Sequence, residues 1–244
     1  MPASAVAALS TYREGSLHAA LKAAYTRPGD RPEEAVDGFV VDVVRDDELV
    51  EIQTASFASA ARKLRALVDR HRILLVHPIA LERWLVRVDA DGAIASRRRS
   101  PKRGLPIDLF DHLVAFPDLL AHPNFRLEVA LVHEEEIRGP IPEGARYRYP
   151  RQWWRLDRRL LEVVETIRVD VPADMPALLP PLPETFTSAD IRAATGRSKR
   201  LCTRAAYCLH KSGATVCVGR SGRLQAYRLA AVEDSPGRRV AESQ

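Results

Sequence analysis

Cysteine is scarce in this sequence: its 244 residues include only Cys202, Cys208 and Cys217. None of them forms a C-x-x-C pair, and no group of cysteines and histidines has the spacing of a zinc site. This pattern predicts small, buried thiols in a reducing compartment. It argues against a disulfide framework and against a structural zinc ion.

Long hydrophobic runs are also missing. No apolar segment approaches the ~20 residues that a membrane-spanning helix needs, so we expect no membrane partner. The first residues, Met1–Ala5, lack the basic and apolar regions of a signal peptide. We therefore expect a cytoplasmic protein. The composition, 46% hydrophobic and 28% charged, suffices for a globular core.

Proline marks a boundary in the chain. Five prolines fall between Val171 and Glu184, and proline removes backbone donors and disfavours helix in the residue before it. We predict a semi-rigid linker at 172–184. It would separate a large domain, 1–171, from a small one, 185–230, with a disordered polar tail at 231–244.

Positive charge is concentrated near the C-terminus. The net charge of the chain is +5. Between Phe186 and Leu229 the only acidic residue is Asp190, against nine basic residues: Arg192, Arg197, Lys199, Arg200, Arg204, Lys211, Arg220, Arg223 and Arg228. Such asymmetry indicates a polyanionic partner.

Hydrophobic periodicity in the first part predicts alternating helices and strands. We expect helices at 14–25, 57–70 and 107–120, the last broken at Pro117. We expect strands at 36–44, 49–54, 73–76, 84–89, 93–98 and 127–133. This order is typical of an α/β fold with a mixed sheet.

Two carboxylates face each other in the first predicted hairpin. If Asp46 and Asp47 form its turn, Asp42 lies directly across from Glu51, with Cβ atoms about 5 Å apart. Gln53 shares the face of Glu51 because side chains alternate along a strand. Two such carboxylates repel each other unless a cation lies between them. Mg²⁺ and Mn²⁺ suit carboxylate oxygens, so the pair predicts a metal site for phosphodiester hydrolysis.

These residues resemble the PD-(D/E)XK nuclease superfamily over roughly residues 10–135. Asp42 matches the family's metal-binding aspartate, and Glu51-Ile52-Gln53 matches its (D/E)-x-K element. Glu14 is placed like the helix glutamate that often completes the metal site. The resemblance implies an αβββαβ core and a Mg²⁺- or Mn²⁺-dependent DNA nuclease, acting in DNA repair or defence.

One departure from the family pattern leaves alternatives open. Gln53 replaces the usual lysine, and it can orient a water but brings no positive charge. Lys63, on the next helix, can supply that charge. Asp37 is the alternative aspartate, but it has the opposite strand parity from Asp42, which we prefer. A catalytically silent DNA-binding protein and a protein-interaction adaptor remain alternative hypotheses.

A second basic segment lies within the first part of the chain. We expect it to contact phosphates without reading sequence. Its candidate residues are Arg97, Arg98, Arg99, Lys102 and Arg103.

The C-terminal segment is similar to winged-helix DNA-binding modules. A capped short helix and a turn within 186–196, a helix at 198–211 and a hairpin of 216–218 with 224–229 give the pattern. The resemblance implies that the second helix enters the major groove of DNA. We therefore expect the protein to associate with the nucleoid in the cytoplasm. The implied contacts are Arg197, Lys199, Arg200 and Arg204 on the helix, with Arg220 and Arg223 on the wing. A homodimer is a further option.

Overall fold

The structure, a computed structural model, describes residues 15–142 and 153–230. The helices are α1 (Ser16–Tyr25), α2 (Ala61–Leu67), α3 (Phe110–Leu113), α4 (Ser188–Thr195) and α5 (Lys199–Lys211). The strands are β1 (Arg31–Val36), β2 (Phe39–Val44), β3 (Leu49–Ile52), β4 (Ile73–Val88), β5 (Ile94–Arg99), β6 (Phe125–Gly139), β7 (Trp154–Val169), β8 (Thr215–Ser221) and β9 (Leu224–Leu229). Short 3-10 turns occupy Phe57–Ser59, Pro106–Leu109, Pro117–Ala121 and Pro172–Leu178.

Seven strands form one mixed sheet, which confirms the predicted α/β class. The strand order is β1-β2-β3-β4-β6-β7, and β5 pairs with the second half of β4. The β3–β4 and β4–β6 pairs are parallel, and the other pairs are antiparallel. From Ser16 to Val88 the elements run helix, three strands, helix, strand.

The register of the β2–β3 hairpin agrees with the sequence-based prediction. Val43 pairs with Val50 and Val44 with Leu49, and the turn closes where the Arg45 N–H donates to the Glu48 carbonyl at 3.0 Å. In this register Asp42 and Glu51 occupy the next opposing positions.

Strand β4 continues through His77 and Pro78, where a strand end was predicted; that prediction is wrong. Strand β3 accompanies β4 only as far as Val76, and β5 joins it only from Trp84. The Val76 carbonyl accepts from Gln53 on this side, and Pro78, two residues on, points the same way. Because no strand lies there, the missing N–H of Pro78 costs no ladder bond.

Strand β7 was not predicted, and β6 extends beyond its predicted end to Gly139. Most β7 side chains are exposed or half-buried and many are charged, so the strand lacks the apolar alternation that reveals strands in a sequence. Its pairing with β6 skips Leu156, Leu161 and Val164, which are β-bulges.

The sheet buries apolar side chains on both faces. On one face, Leu17 and Leu21 of α1 pack in a cluster with residues such as Val50 and Val76. The cluster on the other face is larger and includes Phe57, Phe116 and side chains of α2 and α3. The same cluster takes in Met175, Phe186, Ile191 and Leu201. The apolar core therefore continues across the Pro-rich segment into the C-terminal elements.

The C-terminal elements are two helices and a two-stranded sheet. Thr187 caps α4 by accepting from the Ala189 N–H, and Gly196, with φ +67°, ends that helix. Ser198 caps α5 by accepting from the Leu201 N–H, and β8 pairs antiparallel with β9. Within residues 15–142 and 153–230, none of the helices is long and apolar enough to span a membrane.

Candidate active site and basic surfaces

Asp42 lies at the end of the β2–β3 ladder, where its side chain replaces a backbone partner. Its Oδ2 accepts a hydrogen bond from the Ile52 N–H at 2.7 Å and lies 3.3 Å from Nε2 of His18 on α1. Burial alone would raise the pKa of Asp42, but the bonds from His18 and Ile52 outweigh it and hold the pKa below its usual value. Asp42 therefore stays ionised.

Glu51 carries the opposite perturbation. Its side chain is only 12% exposed, and its Oε2 lies 2.5 Å from Nζ of Lys63 on α2. Burial and, next, the charge of Asp42 raise the pKa of Glu51 to about 7, against the opposing effect of Lys63. The two carboxylates are thus close enough to influence each other's charge.

Lys63 is positioned by the packing of its helix. Leu64 and Leu67 of α2 are buried against the sheet, so Lys63 reaches the strand ends beside them. Its Nζ also donates to the Val40 carbonyl at 2.6 Å. The ammonium group is therefore held between β2 and Glu51.

Gln53 is engaged away from the carboxylates. Its side-chain amide donates to the Ser56 carbonyl at 3.0 Å and to the Ser59 hydroxyl at 2.8 Å. Its backbone carbonyl contacts Nδ1 of His77 at 2.6 Å. In this arrangement Lys63, rather than Gln53, contacts Glu51.

The other candidate acids lie elsewhere. Glu14 falls outside the described residues. Asp37 sits in the β1–β2 turn with φ +46° and lies 3.1 Å from Nε2 of His71 and 3.6 Å from Nη1 of Arg70. Asp42, and not Asp37, is the aspartate whose charge raises the pKa of Glu51, which favours Asp42 as the candidate ligand.

The donor set fits a hard divalent cation with few protein ligands. Asp42 and Glu51 offer carboxylate oxygens, and Mg²⁺ commonly takes one or two protein carboxylates and fills its remaining positions with water and phosphate. Among the residues that the structure describes, there is no group of three or more His, Cys, Asp or Glu arranged to hold a metal. The described chain therefore offers two carboxylates to such an ion.

Sequence reasoning assigned no role to His18, although it contacts Asp42. A usable signal was present: Leu17 and Leu21 form the buried side of α1, so the residue after Leu17 lies at the border of the same face. That position places a polar side chain next to the strand edge.

The raised pKa of Glu51 predicts a pH-dependent effect of Glu51→Gln on stability. With a pKa near 4.5 unfolded and about 7 folded, the protonated side chain stabilises the fold below pH 4.5. That stability is lost as the pH rises through 7. From pH 5 to 8, the free energy of unfolding of the wild type should fall by about 2–3 kcal/mol relative to that of Glu51→Gln.

Urea unfolding with a chelator present measures this difference. Glu165→Gln, a change at an exposed site on β7, is the control and should follow the wild type at every pH. A Glu51→Gln curve parallel to the wild type from pH 5 to 8 would contradict the raised pKa.

The basic segment at 97–103 is partly neutralised. Arg97 contacts Glu135 at 2.7 Å and lies 5.3 Å above the ring of Trp84. Arg99 and Arg103 share Glu82. Arg98 and Lys102 are exposed and have no acidic partner in the described parts of the chain. These two cations are the candidates whose charge is not opposed by a described acid.

Arg197 and Arg204 differ from the prediction that they face DNA. Both donate hydrogen bonds to residues in the segment 103–111. Arg197 Nη2 donates to Asp108 Oδ2 and to the Arg103 carbonyl, each at 2.8 Å. Arg204 Nη1 donates to Asp111 Oδ1 at 2.7 Å. Their guanidinium groups connect α5 to the segment around α3 instead of projecting from the exposed face of the helix.

The remaining C-terminal candidates are exposed. These are Lys199 and Arg200 in the first turn of α5, and Arg220 and Arg223 around the β8–β9 turn. None of them has an acidic partner among the described residues. The exposed face of α5 also carries Thr203 and Tyr207.

Comparison with known proteins gives two matches. The family described as "Domain of unknown function (DUF8091)" matches residues 15–170, which include the carboxylates and Lys63. An "Uncharacterized protein" of Treponema pallidum (strain Nichols) is 33% identical over 224 residues, covering 90% of this chain and 87% of that protein. No solved structure matches the chain significantly.

Proposed function

We propose that this chain, which belongs to the DUF8091 family, is a metal-dependent nuclease that hydrolyses phosphodiester bonds in DNA. The function of the family is unknown, so the proposal rests on the site itself. One observation carries it: Asp42 and Glu51 each lie one position beyond the Val43–Val50 pair that ends the hairpin ladder, and the Nζ of Lys63 lies 2.5 Å from Glu51. Two carboxylates and a lysine suit the hydrolysis of a phosphodiester.

Each residue of this site has a distinct role in the proposal. Asp42, kept ionised by Ile52 and His18, and Glu51 hold the cation. When bound, Mg²⁺ or Mn²⁺ supplies a water of lowered pKa and stabilises charge on the phosphate oxygens. Lys63 favours the ionised form of Glu51 and supplies the positive charge that Gln53, at the lysine position of the PD-(D/E)XK pattern, lacks.

The architecture supports the same proposal. The helix, three strands, helix and strand from Ser16 to Val88 follow the order of a PD-(D/E)XK core. The two helices and hairpin at the C-terminus follow the order of a winged helix, with α5 as the helix that meets DNA. Lys199 and Arg200 are exposed on α5, where they can contact phosphates.

The direct test is the cleavage of plasmid and labelled duplex oligonucleotides with Mg²⁺ or Mn²⁺. The wild type should cleave, and Glu51→Gln should reduce the rate roughly 10³-fold or more, as losses of charge-stabilising groups do. Asp118→Asn is the matched control, since it removes one carboxylate from an exposed ion pair with Arg65. Cleavage that survives Glu51→Gln in pure protein, or that persists with a chelator, would contradict the proposal.

A second candidate function, a catalytically silent DNA-binding protein, is favoured by one observation. Each carboxylate already has a cationic or titratable neighbour: His18 for Asp42 and Lys63 for Glu51. Such a cluster can be stable without a metal. Salt-sensitive duplex binding, with no heat on titration of Mn²⁺ and no cleavage, would favour this function over the nuclease.

A further inference from the structure

We propose that the loop 100–104 and the first turn of α5 form one joined phosphate-binding surface for duplex DNA, aligned by Arg197. The inference rests on the proposed function, because it takes DNA as the partner of this surface. Sequence reasoning treated these two basic segments as separate contacts, more than ninety residues apart along the chain. Arg197 is a positioning residue in this scheme and does not itself touch DNA.

The link between the two segments is direct. Arg197 immediately precedes the cap of α5, and its Nη2 donates both to the Arg103 carbonyl in the loop and to Asp108 Oδ2. The Arg197 side chain is 27% exposed. It therefore ties the loop backbone to the start of the helix.

The loop is also tied to β4, both at this same peptide unit and at its other end, where the Ser100 N–H donates to the Arg83 carbonyl at 2.7 Å. The Gly104 N–H donates to the Ala80 carbonyl at 2.8 Å. A Cβ on Gly104 would lie 2.5 Å from that same oxygen, so the close approach requires glycine. The loop between Ser100 and Gly104 is thus held against β4 and against α5, and its cations keep a fixed position relative to the helix.

The cations that this arrangement brings together have little opposing charge. Lys102, Lys199 and Arg200 are exposed without an acidic partner in the described residues, and Arg103 shares Glu82 with Arg99. Two other acids at the junction, Asp108 and Asp111, are paired with Arg197 and Arg204. The joined surface is therefore strongly positive.

The shape of the surface favours duplex DNA over duplex RNA. Beside the cations, α5 exposes Thr203 and Tyr207 along a helix of 13 residues. The major groove of B-DNA, about 12 Å wide, admits a helix, whereas the major groove of A-form RNA is too narrow for side chains to read. The loop would then contact the phosphate backbone that flanks the groove.

The decisive test uses a variant for which its net charge predicts an increase in DNA affinity and this inference predicts a decrease. Asp108→Asn removes a negative charge, so general electrostatics predicts tighter binding of DNA. Its amide oxygen can still accept the Leu105 N–H that Asp108 accepts at 3.0 Å, but it no longer holds Arg197 by charge. The inference predicts binding about 5-fold weaker in Asp108→Asn and about 10-fold weaker in Arg197→Met, a cost of about 1–1.4 kcal/mol.

Affinity is measured on the full chain by fluorescence anisotropy with a duplex of about 20 base pairs, over a series of salt concentrations. Asp118→Asn, an equal change of charge on an exposed ion pair, should bind as the wild type or slightly tighter. Lys199→Ala with Arg200→Ala should flatten the salt dependence by about two phosphate contacts. Thermal denaturation midpoints near that of the wild type show that each variant is folded.

Three results would overturn the inference. If Asp108→Asn binds as tightly as Asp118→Asn, the surface is not aligned by Arg197, although DNA binding and the proposed function stand. If duplex RNA binds as tightly as duplex DNA, the groove argument fails. If the wild type shows no salt-dependent duplex binding, both the inference and the DNA-directed function fail.

Discussion

Replacing Lys63 by methionine should reduce metal-dependent cleavage of DNA at pH 7.5 by roughly 10²–10³-fold, the usual loss when one charge-stabilising group is removed. Methionine keeps the length of the side chain but brings no charge to Glu51 and no donor to the Val40 carbonyl. Because Lys63 lowers the pKa of Glu51, its loss should raise that pKa above about 7. The acid limb of the pH–rate profile should therefore move to higher pH.

Arg65→Met is the matched control for this experiment. It lies on the same helix and loses an ion pair of its own, with Asp118, but at an exposed position away from Glu51. Its rate and pH profile should remain those of the wild type. A folded Lys63→Met protein within about 3-fold of the wild-type rate, with an unshifted acid limb, would remove Lys63 from the proposed site.

Replacing Arg158 by methionine should lower the free energy of unfolding by about 3 kcal/mol, because it breaks a buried ion pair from one side. Arg158 on β7 places Nη2 at 2.6 Å from Oε2 of Glu134, whose side chain is fully buried at 0% exposure. Arg83 contacts the other oxygen of Glu134 at 2.6 Å. The variant leaves Glu134 with one cation instead of two.

Urea unfolding measures the decrease in the free energy of unfolding, and a control variant and a double variant identify its cause. Arg159→Met, at the exposed neighbouring position, should change stability by less than about 0.5 kcal/mol. Adding Glu134→Gln to Arg158→Met removes the uncompensated charge and should recover part of the loss. A decrease below about 1 kcal/mol in Arg158→Met would show that Arg83 alone satisfies Glu134.

Arg158 also connects this buried pair to the candidate site. Its Nη1 donates to the Thr54 carbonyl at 3.2 Å, one residue after Gln53 and just beyond β3. The same strand caps α1, since the Ser16 N–H donates to Asp157 Oδ1 at 3.1 Å. Strand β7 thus supports both the helix that carries His18 and the segment that follows Glu51.

The part of the site that could be predicted from sequence is the part fixed by local geometry. The turn at Arg45–Glu48 sets the hairpin register, and the register alone makes Asp42 and Glu51 neighbours. Lys63 was accessible to the same reasoning because its helix follows β3 directly. These residues interact within about twenty positions of the chain.

The features that were missed depend on distant neighbours. Pro78 is compatible with a strand only because β3 ends before it and β5 starts after it, which no local pattern reveals. Strand β7 lacks regular alternation because three β-bulges interrupt its pairing with β6. A strand whose sequence lacks alternating apolar and polar residues cannot be predicted from that pattern.

The number of basic residues in a segment also does not distinguish solvent-exposed cations from those that form ion pairs within the fold. Arg197 and Lys199 look alike in a basic segment, yet one is bound to Asp108 and the other is exposed. The acidic partners of Arg197 and Arg204 lie about ninety positions earlier in the chain, among acids that the local sequence does not mark. Only the packing of α5 on the segment around α3 assigns them.

The bulged outer strand limits how copies of this protein can assemble. The longest stretch of β7 in unbroken register is Glu165–Val169, and at the opposite border β1 carries Pro32 and Glu33, the latter with φ +54°. Neither border offers a long, flat template on which another chain could polymerise by adding strands. A homodimer that met at either of these two borders would therefore join through side chains and not through a shared sheet.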